Sequence, residues 1–408
     1  MARARDSAAR PRRVGLWLIG ARGAVATCVA YGLAGLREGL LEPVGLVTAR
    51  EPFSALPLVG LDEFALGGHD VCRRALTQSA GELVRDRVLP ADLVTSVSQA
   101  AAAYEARVRP GLLDDADVGL ADLHPESARR GSLAPRERIA LVREDIDVFQ
   151  RELGLDDVIV VNLASTEAQR APGAETADLA ALEAALDAGR SLPASVLYAY
   201  AALGAGRPFV NFTPSPGASS NALRELARRV GIPHCGNDGK TGETLVKSVL
   251  APMFVARNLR VLAWQGYNML GNRDGAVLAD PLHRESKLRS KGDALRSILG
   301  DANVHAHVGI DYVPSLADWK TAWDFVHFEG FLGARMSLQF TWVGADSALA
   351  APLVLDLARL TELAHRRGEV GEMEHTASFF KAPIAGGSHE FGVQFLRLVE
   401  YARRALDG

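Results

Sequence analysis

The sequence VGLWLIGARGAVA, at residues 14–26, passes from an apolar run through two glycines into small apolar residues. Val14 to Ile19 has the length and the continuous apolar character of a buried strand. Gly20 and Gly23 predict a tight turn, after which apolar periodicity through Leu36 predicts a helix. A strand, turn and helix in this order can present backbone N–H groups and a helix N-terminus to a pyrophosphate. The spacing Gly-x-x-Gly-x-x-Ala is looser than the strict dinucleotide motif, so a simple turn between strand and helix is the alternative.

In a dinucleotide-binding fold, a carboxylate after the second strand usually binds the ribose. The segment from Val44 to Val47 is predicted to be that strand, but Thr48-Ala-Arg50 follows it and provides no acid. Asp70, in the sequence Gly67-Gly-His-Asp70, is the candidate to provide the carboxylate from a later loop. The alternative is that Asp70 only caps or stabilises a turn.

Two later apolar runs also end in polar residues. Asp157 to Val161 leads into Asn162-Leu-Ala-Ser-Thr-Glu167, and Pro208 to Val210 leads into Asn211-Phe-Thr-Pro-Ser215. Continuous apolar strands separated by helices are typical of a parallel, doubly wound sheet. Ligands bind such sheets beyond the carboxyl ends of the strands, where both polar clusters fall. Helices are predicted at residues 177–188 and 195–203, and residues 74–155 are predicted to be mostly helical with a turn-rich break at 124–131.

The pattern changes after residue 232. Residues 238–244, Asp-Gly-Lys-Thr-Gly-Glu-Thr, precede a predicted helix at 245–255, so glycines, hydroxyl groups and a lysine meet at a helix start, as they do in phosphate sites. Farther along, apolar and polar residues alternate from 336 to 342, which predicts a strand with one apolar face. We expect a second, antiparallel sheet over about 300–343, covered by a subunit partner.

Composition limits the functional classes. The chain has 408 residues, 48% of them hydrophobic and 23% charged, with a formal net charge of -4, as in an ordinary globular protein of two or three domains. This near-neutral charge argues against a nucleic-acid partner, and the apolar stretch at 193–206 is too short to span a membrane. Arg22 interrupts the apolar segment behind the basic N-terminus, which argues against a signal peptide. Cys28, Cys72 and Cys235 have no metal-binding spacing, so we expect a reducing, cytoplasmic compartment.

Lysine is rare in this chain. It accounts for only six of the 45 basic residues, and none occurs before residue 240. Where arginine replaces lysine so widely, the remaining lysines are candidates for roles that need a neutral amine, because a guanidinium does not lose its proton. For any one of them, chance or packing is the alternative. The six are Lys240, Lys247, Lys287, Lys291, Lys320 and Lys381.

Other catalytic or metal-binding patterns are weak. His305 and His307 lie two residues apart, so they share one face of a predicted strand and are candidates to bind a metal. With no third ligand near them in the sequence, a half-buried histidine pair is the favoured interpretation. No cysteine, serine or histidine forms a hydrolase signature.

With these motifs together, the chain resembles the myo-inositol-1-phosphate synthases from Gly20 to Lys381. The resemblance rests on Gly20-Ala-Arg-Gly-Ala-Val-Ala26, Gly67-Gly-His-Asp70, Asn162-Leu-Ala-Ser-Thr-Glu167, Gly236-Asn-Asp-Gly-Lys-Thr-Gly242, Asn268-Met-Leu-Gly-Asn-Arg-Asp-Gly275, Ser286-Lys-Leu-Arg-Ser-Lys291, Asp318-Trp-Lys320, Asp346-Ser-Ala-Leu-Ala350 and Phe379-Phe-Lys381.

The resemblance implies an α/β protein with a Rossmann-type, doubly wound parallel sheet and an inserted α+β domain. Residues 1–240 and 346–408 would form the NAD-binding domain. Residues 241–345 would form the catalytic half and the core of a homotetramer.

The implied reaction converts glucose 6-phosphate into inositol phosphate with no net redox change. Bound NAD+ oxidises carbon 5, an enolate attacks the aldehyde at carbon 1, and the hydride returns to the ring ketone. Such intermediates carry negative charge, which a group of lysines can stabilise. A divalent or monovalent cation remains an open possibility, and the metal ligands are unknown.

The resemblance also assigns roles to residues. Lys381 would move a proton at the carbon 5 oxygen, Lys287 would act in enolisation and aldol closure, Lys291 and Lys320 would hold phosphate and developing charge, and Asp346 would orient a lysine. The complete catalytic set is Lys287, Lys291, Lys320, Lys381, Asp238 and Asp346. The residues implied to bind NAD are Gly20, Ala21, Arg22, Gly23, Ala24, Val25, Asp70, Ser165, Thr166, Thr213, Asp238 and Asp346. Those implied to bind the sugar phosphate are Lys240, Thr241, Gly242, Glu243, Thr244, Asn268, Leu270, Asn272, Asp274, Lys291 and Lys320, whereas Lys247 is interpreted as structural.

Several positions depart from the family pattern. Tyr267 stands where many relatives carry tryptophan, Ala317 where glycine is common, and Gly239 and Glu243 differ in the phosphate loop. None of these changes removes a catalytic group, but they leave the substrate open, because relatives can close a five-membered ring from fructose 6-phosphate by the same chemistry. An ordinary dehydrogenase and a non-catalytic protein that senses sugar phosphate are the other hypotheses.

Overall fold

A computed structural model of the chain describes residues 12–113, 122–168, 170–271, 295–301 and 303–407. Its strands form two sheets, one of seven strands and one of four. The strands are β1 (Val14–Ile19), β2 (Phe64–Asp70), β3 (Val108–Pro110), β4 (Asp157–Asn162), β5 (Phe209–Asn211), β6 (Pro233–Gly236), β7 (Arg260–Leu270), β8 (His305–Tyr312), β9 (Trp319–Glu329), β10 (Arg335–Ala345) and β11 (Gly371–Glu372).

The seven-stranded sheet has the order β11-β6-β5-β4-β1-β2-β3, and all its pairs are parallel. From β3 to β6 this is the Rossmann order, with β11 added at the edge. The predicted doubly wound parallel sheet is therefore confirmed. β1 lies in the middle of the sheet and is buried along its whole length, as its continuous apolar sequence predicted.

Helices cover both faces of this sheet. Leu16 and Leu18 of β1 pack into one hydrophobic cluster, whereas Trp17 and Ile19 point to the opposite face and pack into another. The described residues include the helices α1 (Ala24–Arg37), α2 (Leu76–Arg85), α3 (Ala91–Ser96), α4 (Ser98–Glu105), α5 (Pro125–Gly131), α6 (Pro135–Leu153), α7 (Leu179–Asp187), α8 (Ala194–Gly204), α9 (Asn221–Val230), α10 (Gly242–Ala256), α11 (Asp346–Arg366) and α12 (Phe391–Asp407). None of the helices in the described ranges has the length and apolar character needed to cross a membrane.

The second sheet has the order β10-β9-β7-β8. It begins at residue 260, not near 300, and it is mixed, because β7 and β8 are parallel while the other pairs are antiparallel. A parallel pair needs a long connection, which residues 271–304 provide. One face packs on α10 through Trp264, Phe254 and Val326. The alternation from 336 to 342 is confirmed as β10.

Two local predictions were wrong. Residues 44–47 form no strand: Val44 is 88% exposed, and the N–H groups of Val47 and Thr48 donate to the Asp356 carboxylate at 2.7 and 2.9 Å. These N–H groups are therefore bonded to α11, and the second strand of the sheet is β2. Residues 125–131 form helix α5 in place of the predicted turn-rich break, because His124 caps its first turn by accepting from the N–H of Glu126.

Candidate functional site

The glycine turn after β1 lies at the carboxyl edge of the parallel sheet. Gly20 has a φ of +83°, and the N–H groups of Gly20 and Ala21 donate to the carbonyl of His69 at 2.9 and 3.0 Å. A Cβ on Gly20 would lie 3.0 Å from the backbone of Ala164, so both conformation and space favour glycine here. At Gly23, α1 begins with no side-chain cap and no acid in its first turn. Its first N–H groups therefore suit an anion such as a pyrophosphate.

Asp70 ends β2, which lies next to β1 in the sheet. This is the usual place of the ribose-binding carboxylate, so Asp70 lies at the end of the second strand and not in the predicted later loop. One oxygen of Asp70 accepts the N–H of Arg22 at 2.7 Å and the other accepts the N–H of Cys72 at 2.8 Å. The carboxylate thus holds the glycine turn in place, and its contact with a ribose stays a prediction.

The polar clusters after β4 and β5 meet as predicted for neighbouring strands. The buried side chain of Asn162 donates to Oδ1 of Asn211 at 3.0 Å and lies 3.5 Å from Oγ1 of Thr213. Ser165 and Thr166 follow in the loop that passes Gly20. Glu167 has a different role: it accepts from the N–H and hydroxyl of Ser195 at 2.7 and 2.5 Å, which caps α8.

Residues distant in sequence form the basic part of the site. The segment after β6 runs beside the segment after β11, with the N–H of Lys240 donating to the carbonyl of Phe379 at 2.8 Å and the N–H of Lys381 to that of Asp238 at 2.7 Å. The ammonium of Lys381 also donates to Oδ1 of Asp238 at 2.9 Å. The structure therefore joins Lys381 to the predicted catalytic carboxylate.

Lys240 lies behind this pair and is only 4% exposed. Its ammonium donates to Oε1 of Gln394 on α12. Burial and the positive charge of Lys381 lower the pKa of Lys240 to about 8. A fraction of this amine is consequently neutral near physiological pH.

A second polar group surrounds the start of α10. Asp346, the first residue of α11, lies 3.7 Å from the ammonium of Lys320 and 3.4 Å from the hydroxyl of Thr241. A Cβ on Gly242, which has a φ of +55°, would lie 3.7 Å from Asp346. Thr241 follows Lys240 directly, so the polar group around Asp346 is adjacent along the chain to the basic group around Lys381.

Two buried polar groups near this helix start have no partner among the described residues. Both amide atoms of Asn268 on β7 lack a hydrogen bond, as does the indole N–H of Trp342 on β10. Buried polar groups are normally bonded, so these positions suit a polar ligand. Leu270, two residues after Asn268, is buried against Val308 and Ile310.

Lys247 belongs to an ionic cluster below the helix start. Its ammonium lies 2.5 Å from the Glu243 carboxylate and 2.9 Å from that of Asp324, which also accepts from the indole of Trp264 at 2.7 Å. Burial favours the neutral amine, but the two carboxylates outweigh it and raise the pKa of Lys247. The cluster therefore connects α10 to the second sheet.

A model of the family described as myo-inositol-1-phosphate synthase matches residues 14–403. The chain belongs to this family. It is 31% identical to inositol-3-phosphate synthase 1 of Bacteroides thetaiotaomicron over 93% of this chain and 91% of that protein. It is 34% identical to the Homo sapiens inositol-3-phosphate synthase 1 over 77% of this chain and 57% of the human protein.

The fold of this family member also matches solved structures. Inositol-3-phosphate synthase of Caenorhabditis elegans superposes with a TM-score of 0.85 at 24% identity, covering 98% of this chain and 86% of that one. A myo-inositol-1-phosphate synthase-related protein of Thermotoga maritima superposes with a TM-score of 0.77 at 26% identity, covering 96% of this chain and 99% of that one. The chain is thus an isomerase-class enzyme of the inositol-3-phosphate synthase type with an NAD-binding Rossmann-type fold.

Some predicted site residues of this synthase-family chain cannot be placed. Lys287, Lys291, Asn272 and Asp274 lie outside the described residues. Within the described ranges, no three histidine, cysteine or acidic side chains come together as metal ligands, and His305 and His307 are exposed on one face of β8.

Sequence reasoning overlooked two polar residues of the site, Gln394 and Trp342. Gln394 is fully buried but sits in an amphipathic helix with ordinary polar neighbours, so the sequence carried no signal for it. Trp342 had been counted only as one of the apolar residues of an alternating strand.

Proposed function

We propose that this chain catalyses the redox-neutral cyclisation of a hexose 6-phosphate, converting D-glucose 6-phosphate into 1L-myo-inositol 1-phosphate. The observation that carries the proposal is the contact of Lys381 with Asp238, beside a second lysine and an open helix start. This arrangement combines a group for proton transfer with positive charge for oxyanions and phosphate.

The residues around the glycine turn fit NAD. The uncapped start of α1, the carboxylate at the end of β2 and the close approach of Gly20 to Ala164 are the features that a dinucleotide site uses. When bound, NAD+ would take a hydride from carbon 5 of the sugar and return it to the ring ketone. Ser165, Thr166 and Thr213 would line the cofactor from the ends of β4 and β5.

Lys381 is proposed to move the proton at the carbon 5 oxygen. Asp238 accepts from its ammonium and so fixes the amine at the sheet edge, where it would be available to a bound sugar. Lys287 is proposed to act in enolisation and ring closure, and Lys291 to bind phosphate. Asp346 lies near Lys320 and would orient it toward the developing negative charge.

The phosphate is proposed to lie at the start of α10. Thr241 and Thr244 would offer hydroxyl groups, and Gly242 a backbone N–H at a position where a Cβ would approach Trp342 and Asp346. The carboxylate of Glu243 is engaged with Lys247, so only its backbone N–H suits an anion. The partnerless amide of Asn268 would bind the sugar.

Residues 241–345 are proposed to form the catalytic and tetramerisation domain, with the NAD-binding domain built from the residues on either side. The outer face of the second sheet exposes an aromatic row in which Trp323 stacks on Tyr267 and Phe325, and Phe325 on His327. An exposed aromatic face of this kind favours subunit contact. Cys28, Cys72 and Cys235 all lie in the described ranges and form no disulfide, which supports the proposed cytoplasmic location.

The product of the purified protein decides the function. Phosphorus and carbon NMR should show a six-membered cyclitol phosphate from glucose 6-phosphate with catalytic NAD+, while NADH stays constant. NADH rising in step with product would identify an ordinary dehydrogenase. A five-membered ring formed only from fructose 6-phosphate would change the substrate, and binding of both sugars without turnover would indicate a sensor.

A further inference from the structure

Arg22 places a positive charge next to the carboxylate that is proposed to bind the ribose. Its backbone N–H donates to Oδ2 of Asp70 at 2.7 Å, and its guanidinium donates through Nη1 to the carbonyl of Cys72 at 3.1 Å. The N–H of the same Cys72 donates to the other oxygen of Asp70 at 2.8 Å. The guanidinium and the carboxylate therefore both contact Cys72, just beyond the end of β2.

A cation at this place bears on the choice of dinucleotide. NAD and NADP differ at the 2′ position of the adenosine ribose, which carries a hydroxyl group in NAD and a phosphate in NADP. In Rossmann-type folds, a carboxylate near the end of the second strand binds the hydroxyl group, whereas a nearby arginine accommodates the phosphate. This chain has both groups at the end of β2, so Asp70 alone does not decide which dinucleotide binds.

Glu105, the last residue of α4, engages the guanidinium of Arg22. Its Oε1 accepts from Nε at 2.9 Å and from Nη2 at 2.7 Å. The Arg22 side chain is only 14% exposed, so water weakens this ion pair less than it weakens a pair on the surface. The other oxygen of Glu105 accepts from the N–H of Leu76 at 3.0 Å, which fixes the carboxylate at the start of α2. Glu105 therefore compensates the positive charge of Arg22.

Two more arginines follow in the same loop, and neither offers a comparable charge to the ribose. Arg74 pairs with the carboxylate of Glu82 on α2. Arg73 is exposed, so water and salt screen its charge. Arg22 is consequently the partly buried cation on which a 2′-phosphate would depend.

We propose that Glu105 selects NAD over NADP: it neutralises Arg22, the cation that would attract a 2′-phosphate, and its own negative charge repels that phosphate. Glu105 acts through Arg22 and is a positioning residue for the cofactor. Asp70 adds a second negative charge at the same place. The inference rests on the NAD site of the proposed function and goes beyond it in naming the residue that sets the cofactor preference.

The test compares the Kd values of NAD+ and NADP+ for the full-length protein by isothermal titration calorimetry at a fixed ionic strength. In Glu105→Gln, which changes the charge but hardly the shape, we expect the Kd of NADP+ to fall about 10-fold or more. The Kd of NAD+ should change less than about threefold, because a hydroxyl group carries no charge. A merely structural role of Glu105 would change both Kd values alike.

Arg22 provides the complementary variants. In Arg22→Met, Glu105 keeps its negative charge without a partner, so the Kd of NADP+ should rise relative to that of NAD+. Combining Arg22→Met with Glu105→Gln should abolish the gain in NADP+ binding, because the effect depends on the freed guanidinium. If Glu105→Gln fails to fold, Arg22→Met still decides the question.

Asp147→Asn is the matched control. Asp147 also accepts from a largely buried arginine, Arg207, but Arg207 precedes β5 and so lies at the opposite edge of the sheet. This variant removes the same charge and should leave both Kd values unchanged. A wild-type ratio of the two Kd values in Glu105→Gln would overturn the inference, and so would a wild-type protein that prefers NADP+.

Product analysis by NMR keeps the two proposals separate. A changed ratio of Kd values in a protein that forms no cyclitol phosphate would support the role of Glu105 and refute the cyclase. Cyclisation with NAD+ and an unchanged ratio would do the reverse. If both hold, the initial rate of cyclisation at subsaturating NADP+ should also rise about 10-fold in Glu105→Gln.

Discussion

At the scale of single residues, the scarcity of lysine drew attention to six candidates but did not indicate their partners. The segments that carry Lys240 and Lys381 lie side by side, and Lys381 bonds to Asp238, although Asp238 and Lys381 are 143 positions apart in the sequence. Spacing cannot predict such a contact, because it depends on β6 and β11 lying side by side at the sheet edge. The residue types that suit proton transfer could be picked out from the sequence, whereas the pairing of Lys381 with Asp238 could not.

The pair of Asp238 and Lys381 allows a mutation that leaves the backbone unstrained. Asp238 has a φ of +61°, a conformation that asparagine also tolerates. Asp238→Asn should fold normally but lower kcat by about 100-fold or more, because Lys381 loses its anionic partner. Steady-state kinetics with NMR product detection measures the loss. An unchanged kcat would remove Asp238 from the mechanism.

A second residue-scale prediction concerns Gly68 in β2. A Cβ there would overlap the carbonyl oxygen of Leu18 in the neighbouring strand. Gly68→Ala should therefore destabilise the protein by about 3 kcal/mol or more in urea denaturation. Gly32→Ala in α1, where a Cβ meets no atom within 4 Å, is the control and should raise stability by about 0.5–1 kcal/mol. Equal stability of both variants would contradict the packing argument.

At the scale of elements, the sequence predicted correctly those strands and helices whose own residues show a clear apolar pattern. β1 was predicted correctly because it is apolar throughout and covered on both faces. Residues 44–47 were misassigned because Asp356, far along the chain, takes their N–H groups. The edge strand β11 has only two residues, too few for any periodicity to show.

Asp356 should make stability depend on pH. Burial raises its pKa from 3.8 to about 6, so the folded protein binds this proton more tightly than the unfolded chain. Protonated Asp356 therefore stabilises the fold fully at a pH below 3.8, its pKa in the unfolded chain. This stabilisation, roughly 3 kcal/mol, is lost as the pH rises through about 6. In Asp356→Asn, the free energy of unfolding from urea titrations should change less with pH between about 4 and 6. The pKa of Asp318 is also raised to about 6, so some dependence of stability on pH should remain in this variant.

Lys247 should prove structural. Replacing it in Lys247→Met leaves Glu243 and Asp324 buried without their shared cation, so we expect a loss of about 3–5 kcal/mol in the free energy of unfolding. The exposed pair of Arg260 and Glu329 supplies the control, because Arg260→Met should cost less than about 1 kcal/mol. A Lys247→Met variant that is fully stable yet inactive would instead place this lysine in the reaction.

At the scale of the whole molecule, the two-sheet architecture and the nucleotide edge followed from the motifs, while the mixed topology of the second sheet did not. Tyr267 shows why substrate choice is difficult to infer from sequence. It departs from the family pattern, yet it stacks on Trp323 at the outer face, whereas its neighbour Asn268 is buried. This departure therefore lies on the face that we propose for subunit contact, and not beside the buried amide of Asn268.

The outer face of the second sheet gives the prediction for assembly. Trp323→Glu places a charge in the aromatic row and should convert the proposed tetramer into smaller species, as measured by light scattering after size exclusion. Val44→Glu, at an exposed loop position away from this sheet, should leave the molar mass unchanged. A wild-type protein that is monomeric at micromolar concentration would refute the proposal.

The Rossmann sheet is completed from the C-terminal part of the chain, and this has a consequence during translation. While a ribosome is still making residues 241–370, the nucleotide edge of β1, β2, β4 and β5 already exists, but β11 and Lys381 do not. The residues of the glycine turn are therefore synthesised early, whereas the covering helix α11 and the amine of Lys381 follow only near the end of synthesis. A chain that ended in this interval would lack β11, Lys381 and, for most end points, part or all of the helix α11, which covers one face of the sheet, so we expect neither a stable nucleotide domain nor turnover of sugar.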